Sequence, residues 1–164
     1  MSKDRFKYPN LDAELKKSDT YKKYSFGEVA NKTNQLKQHK PIFAFDYVSL
    51  SGGNFCFDSK RIAPNKDYRR LIDGLKRISN KTYDELSTDP TFHFHEVNLD
   101  KTNISRSEFI KCLVPDINRI DKDNCPTIYQ FDVFGKARIF GFVYNFVFYL
   151  VFFDRDHQGY KRED

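Results

Sequence analysis

The chain has 164 residues, 39% of them hydrophobic and 16% aromatic, and a formal net charge of +5. That length suits one ordinary domain with a core large enough to dispense with disulfide or metal staples. The charge excess sits entirely in residues 1–40, with ten Lys/Arg against five Asp/Glu, because residues 41–164 carry eighteen of each. The expected organisation is a basic N-terminal arm, partly helical, over 1–40, followed by a single α+β domain over 41–164. With 17 Phe, 10 Tyr and no Trp, the composition favours strands and a Phe-rich core over a Leu-rich helical bundle.

Cys56, Cys112 and Cys125 form an odd set without C-x-x-C spacing, and the charged N-terminus has no apolar signal region. Reduced thiols in a cytoplasmic protein are the expectation. Residues 139–153 are almost wholly apolar, but fifteen residues fall short of the roughly 20 that a spanning helix needs. No membrane association is expected, and paired core strands account better for the run.

In the arm, Asp12 to Lys17 and Phe26 to Lys37 have the spacing of short helices. Pro41 marks the boundary. Ile42–Leu50 reads as a strand, Ser51-Gly52-Gly53-Asn54 as a turn, and Phe55–Asp58 as the returning strand of a hairpin. Tyr68, Leu71, Ile72, Leu75 and Ile78 then recur at helical spacing, so 66–79 is predicted as a helix capped by Asp67 or Asn65. Thr82 to Glu85 and Ser105 to Glu108 both have capping-box spacing and predict two further short helices, the second ending near Pro115. Between them Phe92–Leu99 reads as a strand. Residues 115–126 form a polar loop, and Thr127–Phe134, Ala137–Val143 and Phe146–Phe153 close the chain as a three-stranded meander. Its connections are Gly135-Lys136 and Tyr144-Asn145. The predicted fold is α+β, a mostly antiparallel sheet of five to six strands with helices packed on one face. Both faces of the last strand are apolar, which places it inside the sheet with the arm available as its second cover.

Three of the four histidines fall on strand surfaces or a strand end. Alternation sends Phe92, Phe94 and Glu96 to one face and His93, His95 and Val97 to the other. Imidazole titrates near neutral pH and is a common metal ligand, so this pair is a candidate site. The plainer reading is two half-exposed strand histidines bonded to water or neighbours. The same H-x-H can chelate a divalent metal with Asp154 or His157, but a fixed fourth ligand is missing and no cofactor is expected.

Ala137-Arg138-Ile139-Phe140-Gly141-Phe142, followed by Phe148-Tyr149-Leu150-Val151-Phe152-Phe153-Asp154-Arg155-Asp156-His157, resembles the closing hairpin of the RelE/ParE-like toxin superfamily. There an arginine-bearing strand is followed by an apolar strand and a short polar tail with a histidine or tyrosine. The segment also looks like the C-terminus of small proteins carried by bacterial mobile elements and phages. The resemblance spans about the last forty residues. It implies a toxin-type endoribonuclease or translation inhibitor that cleaves messenger RNA without a metal, with RNA or the ribosome as target and an antitoxin as partner. It also implies that Arg138 holds the scissile phosphate, that His157 acts as acid or base, and that Tyr160 stacks on a base.

Metal-independent RNA cleavage needs a base for the 2′-hydroxyl proton, an acid for the leaving oxygen and a cation for the phosphate. His95 or Glu96 can supply the base, His157 the acid and Arg138 the clamp, and the pair His93 and His95 is the better candidate if both face solvent. His95 and Glu96 face opposite ways and cannot both serve one site without a bulge. Arg69, Arg70, Lys76 and Arg77 of the predicted helix, with Lys136 and Tyr160, form a candidate RNA-binding surface, basic and aromatic together. A solvated helix face is the plainer account of the same charges. The alternative function is a non-enzymatic nucleic-acid- or protein-binding module of a phage or mobile element, its basic arm ordering on a partner.

Overall fold

A computed structural model describes residues 37–51, 53–113 and 125–161. The expected arm helices, the helix stop at Pro115 and most of the 115–126 loop lie outside these residues. The described chain is α+β: one five-stranded sheet with three α-helices. In chain order these are β1 (Ile42–Ala44), α1 (Pro64–Ser79), α2 (Tyr83–Thr88), β2 (His95–Glu96), α3 (Arg106–Leu113), β3 (Ile128–Phe134), β4 (Ala137–Tyr144) and β5 (Val147–Asp154).

The strand order is β1-β5-β4-β3-β2. β2, β3, β4 and β5 pair antiparallel, while β1 joins β5 in parallel, with Ile42 opposite Val147 and Ala44 opposite Tyr149. The sheet is therefore mixed, which corrects the mostly antiparallel expectation. The hairpin expected over 42–58 does not form. The chain turns after β1, where the Val48 amide donates to Phe45 O, and then makes single bonds along the edge of β5: Ser49 N–H to Val151 O, and Phe153 N–H to Phe55 O. Glycine and asparagine in the 51–54 turn fitted a two-stranded ladder, but β5 offers the buried partner that a free hairpin lacks.

Helices cover both faces, not one. α1 and α2 pack through Leu71, Leu75, Ile78, Tyr83 and Leu86 against Phe131, Val133, Ile139 and Phe153. On the other face α3 sets Phe109 and Leu113 against Phe140, Phe142 and Phe152. The reason lies in β4, where every residue but the last is buried; a strand apolar on both faces must be covered twice. Aromatic rings fill much of the core, with Phe94 stacked on Phe131 at 4.5 Å and Phe131 edge-on to Phe148 at 5.0 Å.

Local signals explain the elements. Both capping boxes form: Thr82 Oγ1 accepts from the Glu85 amide while the Glu85 carboxylate accepts from Thr82 N–H, and Ser105 and Glu108 repeat the exchange. α1 starts earlier than expected. Pro64 occupies its first turn and Ala63 is the N-cap residue, without a side-chain cap. Asp67 lies inside the helix, where its carboxylate accepts the Ala63 N–H at 2.9 Å. Gly135 at φ +52° turns β3 into β4. Asn145 and Phe146, at φ +46° and +67°, turn β4 into β5 one residue later than predicted; such values suit a two-residue hairpin turn.

Two bulges shape the sheet. The register shifts between Asp132 and Phe134 on β3, and again at Val151 on β5. Each bulged carbonyl finds a donor, Val133 O from Arg77 at 2.7 Å and Val151 O from Ser49 N–H at 2.8 Å. Beside the second bulge a Cβ on Gly141 would lie 2.0 Å from Tyr149 O, a backbone atom with nowhere to go. Gly141→Ala should cost about 3 kcal/mol of unfolding free energy by urea titration. A cost under about 0.5 kcal/mol would show that the close approach of β4 and β5 is not real.

Candidate functional site

The face of the sheet that carries α3 also carries a polar cluster at one end. Gln130 and Asp132 on β3 and Arg138 on β4 project there beside Phe140 and Phe142, since Asp132 pairs with Arg138 and Gln130 with Phe140. His95 sits opposite Gln130, and Glu96 opposite Tyr129. Directly opposed residues share a face, so His95 falls on the Gln130 face and Glu96 on the other. The alternation expected over 92–97 holds, although only His95 and Glu96 are in a strand. His93 adopts φ +43°, a sparsely populated conformation for a residue with a side chain.

Asp132 is the centre of the cluster. Its Oδ2 lies 2.8 Å from His93 Nδ1, and its Oδ1 pairs with Arg138 Nε. The carboxylate accepts, so Nδ1 carries a proton, and in the neutral imidazole Nε2 is the nitrogen that holds the lone pair. The side chains of Asp132 and Arg138 are 13% and 10% exposed, while His93 is 56% exposed. A buried ion pair thus underlies a solvent-facing imidazole. Burial pushes the Asp132 carboxyl above its ordinary value, against the opposing charges of Arg138, His93 and His157 and the hydrogen bond from His93.

The tail returns to this cluster after β5. Asp154 accepts the backbone N–H groups of Asp156, Gln158 and Gly159 at 3.3, 3.0 and 2.6 Å, which curls residues 155–159 around its carboxylate. His157 stands exposed on that loop at φ +58°. Tyr160 then bridges to Thr102, donates its hydroxyl to Gln130 Oε1 at 2.6 Å, and places its ring 5.7 Å from His157. Gln130 in turn donates to His93 O at 3.5 Å. His93, Asp132, Arg138, His157, Tyr160 and Gln130 consequently form one connected site.

Opposite this site, on the α1 side of the sheet, the tail is pinned by Arg155. Its Nε donates to Asp67 Oδ2 at 2.7 Å, and Asp67 is 1% exposed. Burial alone would raise the Asp67 carboxyl; the hydrogen bonds from Arg155 and the Ala63 amide, with the charges of Arg155 and Arg70, hold it below 3.8. A carboxyl depressed in the folded state contributes stability above its unfolded pKa and loses it as pH falls through the folded value. Asp67→Asn should therefore destabilise the protein at pH 7, with the gap to wild type closing below about pH 4. Melting temperatures measured across pH test this, and a gap independent of pH would contradict it.

The remaining predicted site residues are dispersed. His95 is exposed and its Nδ1 contacts Glu96 O at 2.7 Å, while Glu96 faces away from Asp132. Arg69, Arg70, Lys76 and Arg77 lie on α1, across the sheet from His93 and His157. Arg70 stacks over Phe134 at 4.3 Å and Arg77 holds the β3 bulge, so both are committed within the fold. Lys136 is exposed at the β3–β4 turn. Among the described residues no three His, Cys, Asp or Glu side chains are grouped to hold a metal ion. A cavity of about 320 Å³ on the α3 side, lined by Phe55, Ile104, Phe152, Cys56 and Cys112, includes none of the histidines.

Asp132 and Gln130 went unnoticed in the sequence. The signal for Asp132 was present: it stands three residues before Gly135 and Arg138 three after, the separation that brings two residues together across a tight hairpin.

A family model described as "Uncharacterised protein UU032" matches residues 58–164. The chain belongs to that family. The UU032 region begins just ahead of α1 and holds every residue of the polar cluster, while β1 precedes it. No curated protein and no solved structure matches the chain. No described helix is long and apolar enough to cross a membrane.

Proposed function

We propose that this UU032 chain is a RelE-like, metal-independent endoribonuclease acting on messenger RNA in the cytoplasm. The observation that carries the reading is the return of His157 and Tyr160 to a buried Asp132–Arg138 pair from which His93 projects into solvent. Two exposed imidazoles tied to one cluster, His93 through Asp132 and His157 through Tyr160, offer the two groups that proton transfer at both ends of a phosphodiester requires.

In this mechanism His93 is the base. Asp132 fixes its tautomer and steadies the imidazolium, and Nε2 takes the 2′-hydroxyl proton as that oxygen attacks phosphorus. His157 protonates the departing 5′-oxygen, and the products are a 2′,3′-cyclic phosphate and a 5′-hydroxyl. Arg138 supplies positive charge beneath the phosphate. The chain would be a toxin or translation inhibitor, held in check by a protein antidote and acting on free or ribosome-bound message.

The test is incubation of the purified chain in excess EDTA with a single-stranded RNA and with its 2′-deoxy counterpart. Cleavage confined to the RNA, leaving cyclic phosphate ends, is expected. Intact RNA at stoichiometric protein would overturn the reading.

One observation favours a second reading. Arg138 is 8% exposed and tied to Asp132, which is also what a structural arginine in a non-enzymatic binding module would show. Retained RNA affinity without any cleavage would select that module.

A further inference from the structure

The cations of α1 divide into two groups once their contacts are known. Arg70 and Arg77 are engaged with Phe134 and Val133. Lys66, Arg69 and Lys76 are exposed, and among the described residues none of the three side chains is held by an ion pair or a side-chain hydrogen bond. They recur at helical spacing and share the outward face of a sixteen-residue helix with Ile72 and a single acidic residue, Asp73. From Lys66 to Lys76 the stripe runs about 15 Å along the axis. The site around His93 is on the other face of the sheet, so this stripe does not line it.

We infer that the outward face of α1 is a separate binding surface for the phosphate backbone of a base-paired nucleic acid. Single-stranded nucleic acid is gripped by stacking bases on aromatic rings, and among the described residues α1 turns no exposed aromatic ring outward on this face. A duplex hides its bases and offers only phosphates and sugar edges, which uncommitted lysine and arginine side chains can meet without stacking. An acidic protein partner is the poorer match. A stable protein interface is built on a buried apolar centre, and here Ile72, 58% exposed, is the only large apolar side chain that α1 turns outward. Lys136 at the β3–β4 turn extends the positive charge toward the end of the sheet.

The test is fluorescence anisotropy with the full chain and a labelled RNA duplex of about 16 base pairs, repeated across salt concentrations. A DNA duplex and poly-L-glutamate serve as further probes. In the triple variant Lys66→Ala/Arg69→Ala/Lys76→Ala, duplex affinity should fall at least about tenfold, and the slope of log K against log salt should flatten by about two to three. Tighter binding of RNA than DNA would mark the stripe as reading A-form shape, and equal binding as reading phosphates alone; both support the inference. An unchanged slope in a variant with native circular dichroism overturns it. So does poly-L-glutamate binding more tightly than either duplex. The readout is binding, so it stands or falls independently of any cleavage.

Discussion

Asp132→Leu alone is expected to lower the unfolding free energy by about 3–5 kcal/mol, while Asp132→Leu combined with Arg138→Met should recover most of that loss. The two side chains pair directly and are 13% and 10% exposed. Removing the carboxylate leaves a buried guanidinium without its ion-pair partner, since Asp154 opposite it on β5 is engaged by three backbone amides, and a poorly compensated buried charge is among the costliest single defects. Removing both charges takes away the attraction together with the desolvation of both groups, and those terms nearly cancel. Urea denaturation of the two single variants and the double variant gives the coupling energy directly. Costs that simply add would mean that the pair does not exist in the folded chain.

His93→Ala and His157→Ala are expected each to lower kcat for RNA cleavage by about 10²- to 10⁴-fold with little change in KM. Both side chains are exposed, so their truncation creates no cavity, and the variants should melt within a few degrees of wild type. His95→Ala is the control. It lies on the same face of the sheet but bonds only its own neighbour's carbonyl, and its removal should leave the rate within about threefold of wild type. Equal losses for all three histidines would show that the rate follows general surface charge and not proton transfer at this cluster.

Much of the local structure was legible because it rests on short-range chemistry. The periodicity of 68–78, the capping boxes at Thr82 and Ser105, and the Gly135-Lys136 turn each depend on residues within one or two turns of chain. The facing of His93 and His95 also followed from strand alternation alone, even though the strand itself shrinks to two residues. What failed depends on partners distant in sequence. Ile42–Ala44 is parallel to β5 because the β5 edge, more than a hundred residues on, is its buried partner. Helices lie on both faces because β4 is covered from both sides.

The site was legible only in pieces. His93, Arg138, His157 and Tyr160 were identified as residue types with suitable chemistry, but their meeting depends on Asp154 gathering three amides and on Tyr160 reaching Gln130. Neither is a spacing pattern. Asp154 in particular reads in sequence as a polar stop after an apolar strand, yet it is only 2% exposed and shapes the loop that carries His157. The basic helix was expected to form one RNA-binding surface with Lys136 and Tyr160. The structure sets it across the sheet, because its apolar stripe is needed against Phe131 and Val133.

The central claim is that two imidazoles, one oriented by Asp132, exchange protons with an RNA phosphodiester. Its most direct measurement is the pH dependence of kcat/KM for a short RNA, in wild type and in each histidine variant. A bell-shaped profile is predicted, with the acidic limb lost in His93→Ala and the alkaline limb lost in His157→Ala. A rate that does not respond to pH in wild type, or limbs that survive in both variants, would contradict it.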